Sequence, residues 1–123
     1  MLQNVYNFFM SNVSIGKNGE EIAKKFLEKQ GYKILEMNKK FSRFSEIDII
    51  ALDKNTLVFV EVKTRKSNIC GAPLEAITPK KYNHIKQGLF TYLQENPQYK
   101  KYRIDGISIL LKPELKIEHL KNI

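Results

Sequence analysis

Three charged side chains stand where an apolar strand should tolerate none. Over Ser45–Arg65 the chain reads SEIDIIALDKNTLVFVEVKTR, two β-rich runs around a polar turn. Asp48 lies in the first run, and Glu61 and Lys63 lie in the second. A carboxylate buried without a partner is costly, so acids kept in such runs need a compensating charge. Side chains alternate faces along a strand. Glu46, Asp48, Ile50 and Leu52 therefore share one face, as do Leu57, Phe59, Glu61 and Lys63. Asp53-Lys54-Asn55-Thr56 is the turn, with Asn55 expected in the left-handed region. Pairing Leu52 with Leu57 and Ile50 with Phe59 sets Asp48 opposite Glu61 and Glu46 opposite Lys63. A slip of one residue would turn the two faces out of phase. Directly opposed Cβ atoms lie about 4.5–5.5 Å apart. Two carboxylates that close want a cation between them, and a hard ion with oxygen ligands, Mg²⁺ or Mn²⁺, fits best.

Asp-x(n)-Glu-x-Lys on adjacent strands is an arrangement suited to metal-dependent phosphodiester hydrolysis. Asp48 and Glu61 would hold the ion, helped by the backbone carbonyl of Val62. The ion would polarise the scissile phosphate and acidify a bound water. Lys63 would orient that water or neutralise charge developing on phosphorus. Glu46, one pleat beyond Asp48, is expected as a partner of Lys63.

The elements that must position these residues follow from periodicity. Ser14 to Gln30 reads as a helix closed by Gly31. Gly19, Ile22, Ala23, Phe26 and Leu27 make its apolar stripe. Glu20 projects at the edge of that stripe and can reach around the rim of the core, whereas Glu21 points to solvent. The helix alone slightly favours a plainer role for Glu20, an acid in the first turn complementing the helix dipole. Gly16-Lys17-Asn18-Gly19 is not a phosphate loop, since no strand precedes it and the Gly-Lys-Ser/Thr ending is missing. Tyr32 to Phe41 is the first strand, leading to the basic turn with Lys39, Lys40 and Arg43. The Ser45–Arg65 hairpin supplies strands two and three. The third is apolar on both faces, as a central strand of a layered α/β sheet must be. Thr64 to Ile77 is a loop with Arg65 and Lys66. Thr78 caps a second helix with Pro79 at its first position. Its buried stripe is Tyr82, Ile85, Leu89, Tyr92 and Leu93, and His84 among its lysines reads as solvated. Tyr102 to Leu111 is the fourth strand, on which Arg103 and Asp105 read as a structural ion pair. Lys116 to Leu120 is a short edge strand.

The chain has 123 residues and 42% hydrophobic content, enough for one folded domain. Residues 14–123 are expected to form it, with 1–13 a loosely packed extension too short to span a membrane or act as a typical signal peptide. A net charge of +8 favours a polyanionic partner. Lys17, Lys39, Lys40, Arg43, Arg65, Lys66, Lys80 and Lys81 would track a nucleic-acid backbone. A membrane-surface role is disfavoured, because neither helix joins a strongly basic face to a broad exposed apolar one. The single cysteine, Cys70, excludes an intrachain disulfide and a cysteine-cluster zinc site, and the cytoplasm is the default compartment.

At these residues the chain resembles a known family. Gly16-Lys17-x-Gly19-Glu20, Glu46-Ile47-Asp48 and Phe59-Val60-Glu61-Val62-Lys63-Thr64-Arg65 are similar to the bacterial YraN family, also labelled UPF0102. The spacing to Gly71-x-Pro73, to the lysines of the second helix and to Arg103-Ile104-Asp105 is similar too, so the likeness runs over about residues 14–111. The resemblance implies the restriction-endonuclease-like α/β fold of the PD-(D/E)xK superfamily, in the order helix, three strands, helix, one or two strands. It also implies similarity to archaeal Holliday-junction resolvases. On that basis Glu20, Asp48, Glu61 and Lys63 form the catalytic set, with Glu20 completing the metal shell or holding a ligand water. The substrate expected is DNA rather than RNA, branched or otherwise structured. Such resolvases act as dimers, which leaves a homodimer open here. The family usually has glycine before Glu46, where this chain has Ser45.

Two other classes of function fit the same residues. One is a nucleic-acid-binding module that keeps the fold without catalysis. The other is an interaction protein of a DNA-processing complex that uses its basic face as a dock.

Overall fold

Two helices and five strands account for residues 15–66 and 77–123, the part described by the computed structural model. In chain order, helix α1 (Ile15–Lys29) precedes strands β1 (Lys33–Lys40), β2 (Glu46–Asp53) and β3 (Thr56–Arg65). Helix α2 (Pro79–Glu95), β4 (Lys101–Leu110) and β5 (Lys116–Leu120) follow. The strands form one mixed sheet in the order β1-β2-β3-β4-β5, parallel only between β3 and β4. The expected order of helix, three strands, helix and one or two strands is therefore present, with two strands at the end, and it is consistent with a restriction-endonuclease-like core. Expectations for the first 13 residues and for the loop around Cys70, Gly71 and Pro73 fall outside the described residues.

The double-sided burial of β3 dictates the layers. Val58, Val60 and Val62 pack with Ile22, Ala23 and Leu27 of α1, and with Ile107 and Ile109 of β4. Leu57 and Phe59 pack with Ile85, Leu89 and Tyr92 of α2. A helix thus covers each face of the sheet, with β3 in the middle strand position. The β2–β3 register matches the expectation where the ladder exists, with Leu52 against Leu57 and Ile50 against Phe59. The turn differs in one respect. Lys54, rather than Asn55, takes positive φ, at 57°. A tight two-residue hairpin loop demands that conformation at its first position, whatever residue stands there.

The ends of α1 and α2 explain how the helices are aimed. Gly31 takes φ of 92°, and the N–H groups of Gly31 and Tyr32 donate to the carbonyls of Glu28 and Leu27. This paired closure satisfies two orphaned carbonyls and drops Tyr32 onto the core beside Leu27. Thr78 caps α2 as expected, its hydroxyl accepting from the Lys81 N–H at 3.1 Å.

Arg103 and Asp105 form the expected ion pair, 3.0 Å apart, inside a larger knot. Arg103 also reaches Asp53 at 3.1 Å and the Tyr32 hydroxyl at 2.6 Å. Asp105 is held further by His119 at 2.8 Å and by the N–H of Asn122. The knot ties the hairpin tip, β4, β5 and the start of β1 at one end of the sheet.

Helix α1 packs tightly on β3 at Gly19. A Cβ there would sit 2.9 Å from Thr64 Cβ and would collide with Thr64 Oγ1. Thr64 Cβ is fixed to the strand backbone, so α1 would have to move. Gly19→Ala is therefore expected to destabilise the fold by about 1–3 kcal/mol through overpacking, despite a gain of about 1 kcal/mol in helix propensity. Chemical denaturation of the two proteins measures the difference.

Candidate metal and nucleic-acid site

The site begins where the β2–β3 ladder stops. Its last pair is Ile49 with Val60, so Asp48 and Glu61 are not paired through their backbones as the hairpin pattern predicts. The Asp48 carboxylate accepts the Val62 N–H at 2.8 Å instead. Face alternation breaks at the same point. Ile49 belongs to the α1 core, yet Ile47 packs in the α2 core. Asp48 is thus released from strict alternation, and its carboxylate stands at the parting of the strands.

Glu61 and Lys63 share the α2 side of β3. Glu61 is only 3% exposed. One of its oxygens, Oε1, lies 3.3 Å from the ammonium of Lys63 and 3.6 Å from that of Lys81 on α2. The other, Oε2, is buried with no hydrogen-bond partner. Lys81, which by sequence alone belongs with the lysines along a nucleic-acid backbone, reaches the acid cluster directly. Glu46 and Lys63 are not paired through their backbones, because the ladder ends three residues before that pairing. Instead Glu46 sits across from Lys40 of β1 and adds negative field at Glu20.

Glu20 arrives from α1 in the helix's second turn, and the first turn carries no acid. The dipole-complementing role therefore falls away. Burial pushes the Glu20 carboxyl above the usual carboxylate range. A hydrogen bond with Asn38 and one with Asp48 oppose the shift, while the charges of Glu46 and Glu61 add to it. Asn38 was not anticipated. It stands between the Met37–Ile49 and Lys39–Ile47 pairs, facing Asp48, with φ of 53°. An asparagine inside a strand was the available signal, since Asn tolerates the left-handed region at low cost.

Asp48 is pushed up to about 7. Burial is the main cause, and the charges of Glu61 and Glu20 add to it. The Val62 hydrogen bond and the charge of Lys81 pull the other way without winning. Three acids within electrostatic reach of one another repel, as an uncompensated cluster must.

The residues suit a hard divalent cation in one specific way. Among the described residues no group of three or more His, Cys, Asp or Glu side chains is arranged to hold a metal. Mg²⁺ does not require one, because it keeps several waters and uses one or two carboxylates plus substrate phosphate. Asp48 and Glu61 Oε2 would supply those carboxylates. A buried oxygen with no partner is the donor such an ion compensates. Glu20 would then act through Asp48 or through a water.

The basic rim gathers at the same end of the sheet. Lys40 and Arg43 flank the β1–β2 turn, Lys66 follows β3, and Lys80 opens α2; all four are exposed. Lys39 pairs with Glu36 at 3.6 Å, and Arg65 is half-buried. The Lys17 side chain lies outside the described residues. Ser45 is buried, and its hydroxyl donates to the His84 carbonyl at 2.6 Å, pinning the start of β2 to α2. Gly88, one turn further along α2, has no room for a side chain, since a Cβ would lie 2.8 Å from the Phe41 ring and 2.9 Å from Ser45 Oγ. His84 is not simply solvated. Its ring stacks on exposed Phe44 at 6.0 Å, and Arg43 lies 5.4 Å from the same ring, a contact worth about 0.5–1 kcal/mol at the surface.

The raised Asp48 carboxyl makes stability depend on pH with a definite sign. Between its ordinary value and about 7 the folded chain holds more protons than the unfolded chain, so stability falls as pH rises through that window. Asp48→Asn removes the buried charge and keeps an acceptor for Val62. At pH 8 the variant should be more stable than the wild type by about 1–3 kcal/mol, with the gap closing by pH 4. Urea titrations at the two pH values test this; an equal gap at both would refute the charge as cause.

Comparison with known proteins shows the family of the chain. The model of the Uncharacterised protein family UPF0102 matches residues 19–109. A UPF0102 protein of Syntrophomonas wolfei is 41% identical over 113 residues, 90% of this chain and 97% of its own. One of Syntrophus aciditrophicus is 45% identical over 114 residues, covering 90% and 88%. One of Dictyoglomus turgidum is 42% identical over 117 residues, covering 92% and 98%. With the match running from Gly19 in α1 to Ile109 in β4, and so across every residue of the acid cluster, the chain belongs to the UPF0102 family, the YraN family of the sequence resemblance.

Proposed function

We propose that this protein is a metal-dependent endonuclease that hydrolyses phosphodiester bonds in DNA, branched or otherwise structured DNA included. The observation that carries the reading is the convergence of Asp48, Glu61, Glu20 and Lys63 at one sheet end, with a buried Glu61 oxygen lacking a partner and a basic rim around it. Mg²⁺ or Mn²⁺, when bound, supplies Lewis-acid polarisation of the phosphate and a water of lowered pKa. Asp48 is oriented for its ligand role by the Val62 N–H. Lys63 stands beside Glu61, where its ammonium would orient the attacking water or offset charge on the phosphorane. Lys81 would exchange its contact with Glu61 for one with the substrate phosphate. Lys40, Arg43, Lys66 and Lys80 would follow the backbone without reading sequence.

One observation favours a second reading, a module that binds nucleic acid without cutting it. Lys63 and Lys81 both lie on Glu61 and partly satisfy it in place of a metal. Cleavage assays on linear duplex, single-stranded and four-way-junction DNA separate the two, with Mg²⁺, Mn²⁺ or EDTA. The nuclease reading expects cutting that needs the metal and falls at least about 100-fold in Asp48→Ala and in Lys63→Ala. Equal DNA binding by all three proteins with no cutting would establish the binding module instead. Wild-type cutting matched by Lys63→Ala would remove the lysine from the chemistry.

A further inference from the structure

The turn between β1 and β2 holds an aromatic ring that the fold does not use. Phe44 is 65% exposed, so it adds little to either core. Its position is nonetheless firmly held. The Phe41 N–H donates to the Ser45 carbonyl at 2.8 Å, the Phe44 N–H to Ser42 Oγ at 3.2 Å, and Ser45 is pinned to α2 through the His84 carbonyl. The His84 ring backs Phe44 in a stacked geometry, with an interplanar angle of 28°. Arg43 visits the same ring from the exposed side chain next to it.

We propose that Phe44, backed by His84, is a stacking platform for an unpaired base of a DNA strand passing the acid site. This rests on the nucleic-acid reading of that site. Base–aromatic stacking tolerates any base and is stronger than the surface contact of Arg43, so a base would displace the guanidinium from the ring. The freed Arg43 then has a phosphate within its reach. Phe44 precedes Asp48 by four residues, a reach of at most about 14 Å of extended chain, or about four stacked nucleotides. A base held there therefore belongs to the strand presented to Asp48 and Glu61. In a continuous duplex both faces of each base are covered by neighbours. The platform therefore selects single strands, loops and branch points over plain duplex, and gives the site a preference that its backbone-tracking lysines do not supply.

The test measures binding in EDTA, where no cutting occurs. The probes are a single-stranded DNA oligonucleotide carrying 2-aminopurine and the matched duplex, with wild type, Phe44→Ala and Phe44→Trp. Phe44→Ala should lose about 5- to 100-fold in single-strand affinity. Its duplex affinity should change by less than about twofold. Quenching of 2-aminopurine should vanish in Phe44→Ala and return in Phe44→Trp. Unchanged single-strand affinity, an equal loss on both probes, or no binding by the wild type would overturn the platform. Its fate is separable from that of the nuclease. Wild-type cutting with Mg²⁺ alongside an unaltered strand preference in Phe44→Ala sinks the platform alone. Loss of quenching in a protein that cuts nothing sinks the nuclease alone.

Discussion

The hydrogen bond from the Val62 N–H to the Asp48 carboxylate is the contact around which the site is arranged. It replaces the next rung of the β2–β3 ladder with a side-chain rung. The two strands can then part without leaving that N–H unsatisfied inside the protein. Parting them opens the space in which Glu61, on the α2 side, and Glu20, from α1, both act on one carboxyl. Had the ladder continued, Asp48 would have been a side chain of one face only, screened from α1 by the sheet.

Two buried acids show how the fold spends its electrostatics at its two ends. Burial raises both. Asp105, fully buried, nevertheless ends below the usual carboxylate range, because His119, Arg103 and the Asn122 N–H together outweigh its burial. Asp48 ends far above that range, because its one backbone donor and the charge of Lys81 do not outweigh burial and two neighbouring acids. Asp53 lies five residues along β2 from Asp48, about 16 Å at strand rise, so the ends are well separated. The Arg103–Asp105 knot stabilises the folded chain, and the acid cluster opposes it. Stored repulsion of that kind persists only where the surrounding structure over-determines the geometry, and it is typical of functional sites.

Much of the fold was legible because its local signals agree with its global packing. Thr78-Pro79 opened α2, Gly31 closed α1, and the double-sided apolar run of β3 required a helix on each face. Other features were hidden for stated reasons. Lys54 takes the strained turn position by the demands of a two-residue loop, against its own preference. Gly88 reads as a weak helix residue and only matters once Phe41 and Ser45 are seen against it. Ser45, a small polar residue at the start of a strand, proves to be a working link through its hydroxyl.

By itself, the sequence determined the identities of the charged set, the strand register up to Ile49, and the family to which the chain belongs. Those depend on residue type and on periodicity, which are properties of a linear chain. Only the tertiary structure decided that Glu20 meets Asp48 in the helix's second turn, that Lys81 reaches Glu61, that Asn38 joins the cluster, and that Glu46 stands across from Lys40 and adds its field at Glu20. These contacts join side chains from α1, β1, β2, β3 and α2 around the point where the β2–β3 ladder ends. No local pattern encodes where a ladder will end, because that depends on the helix packed against it.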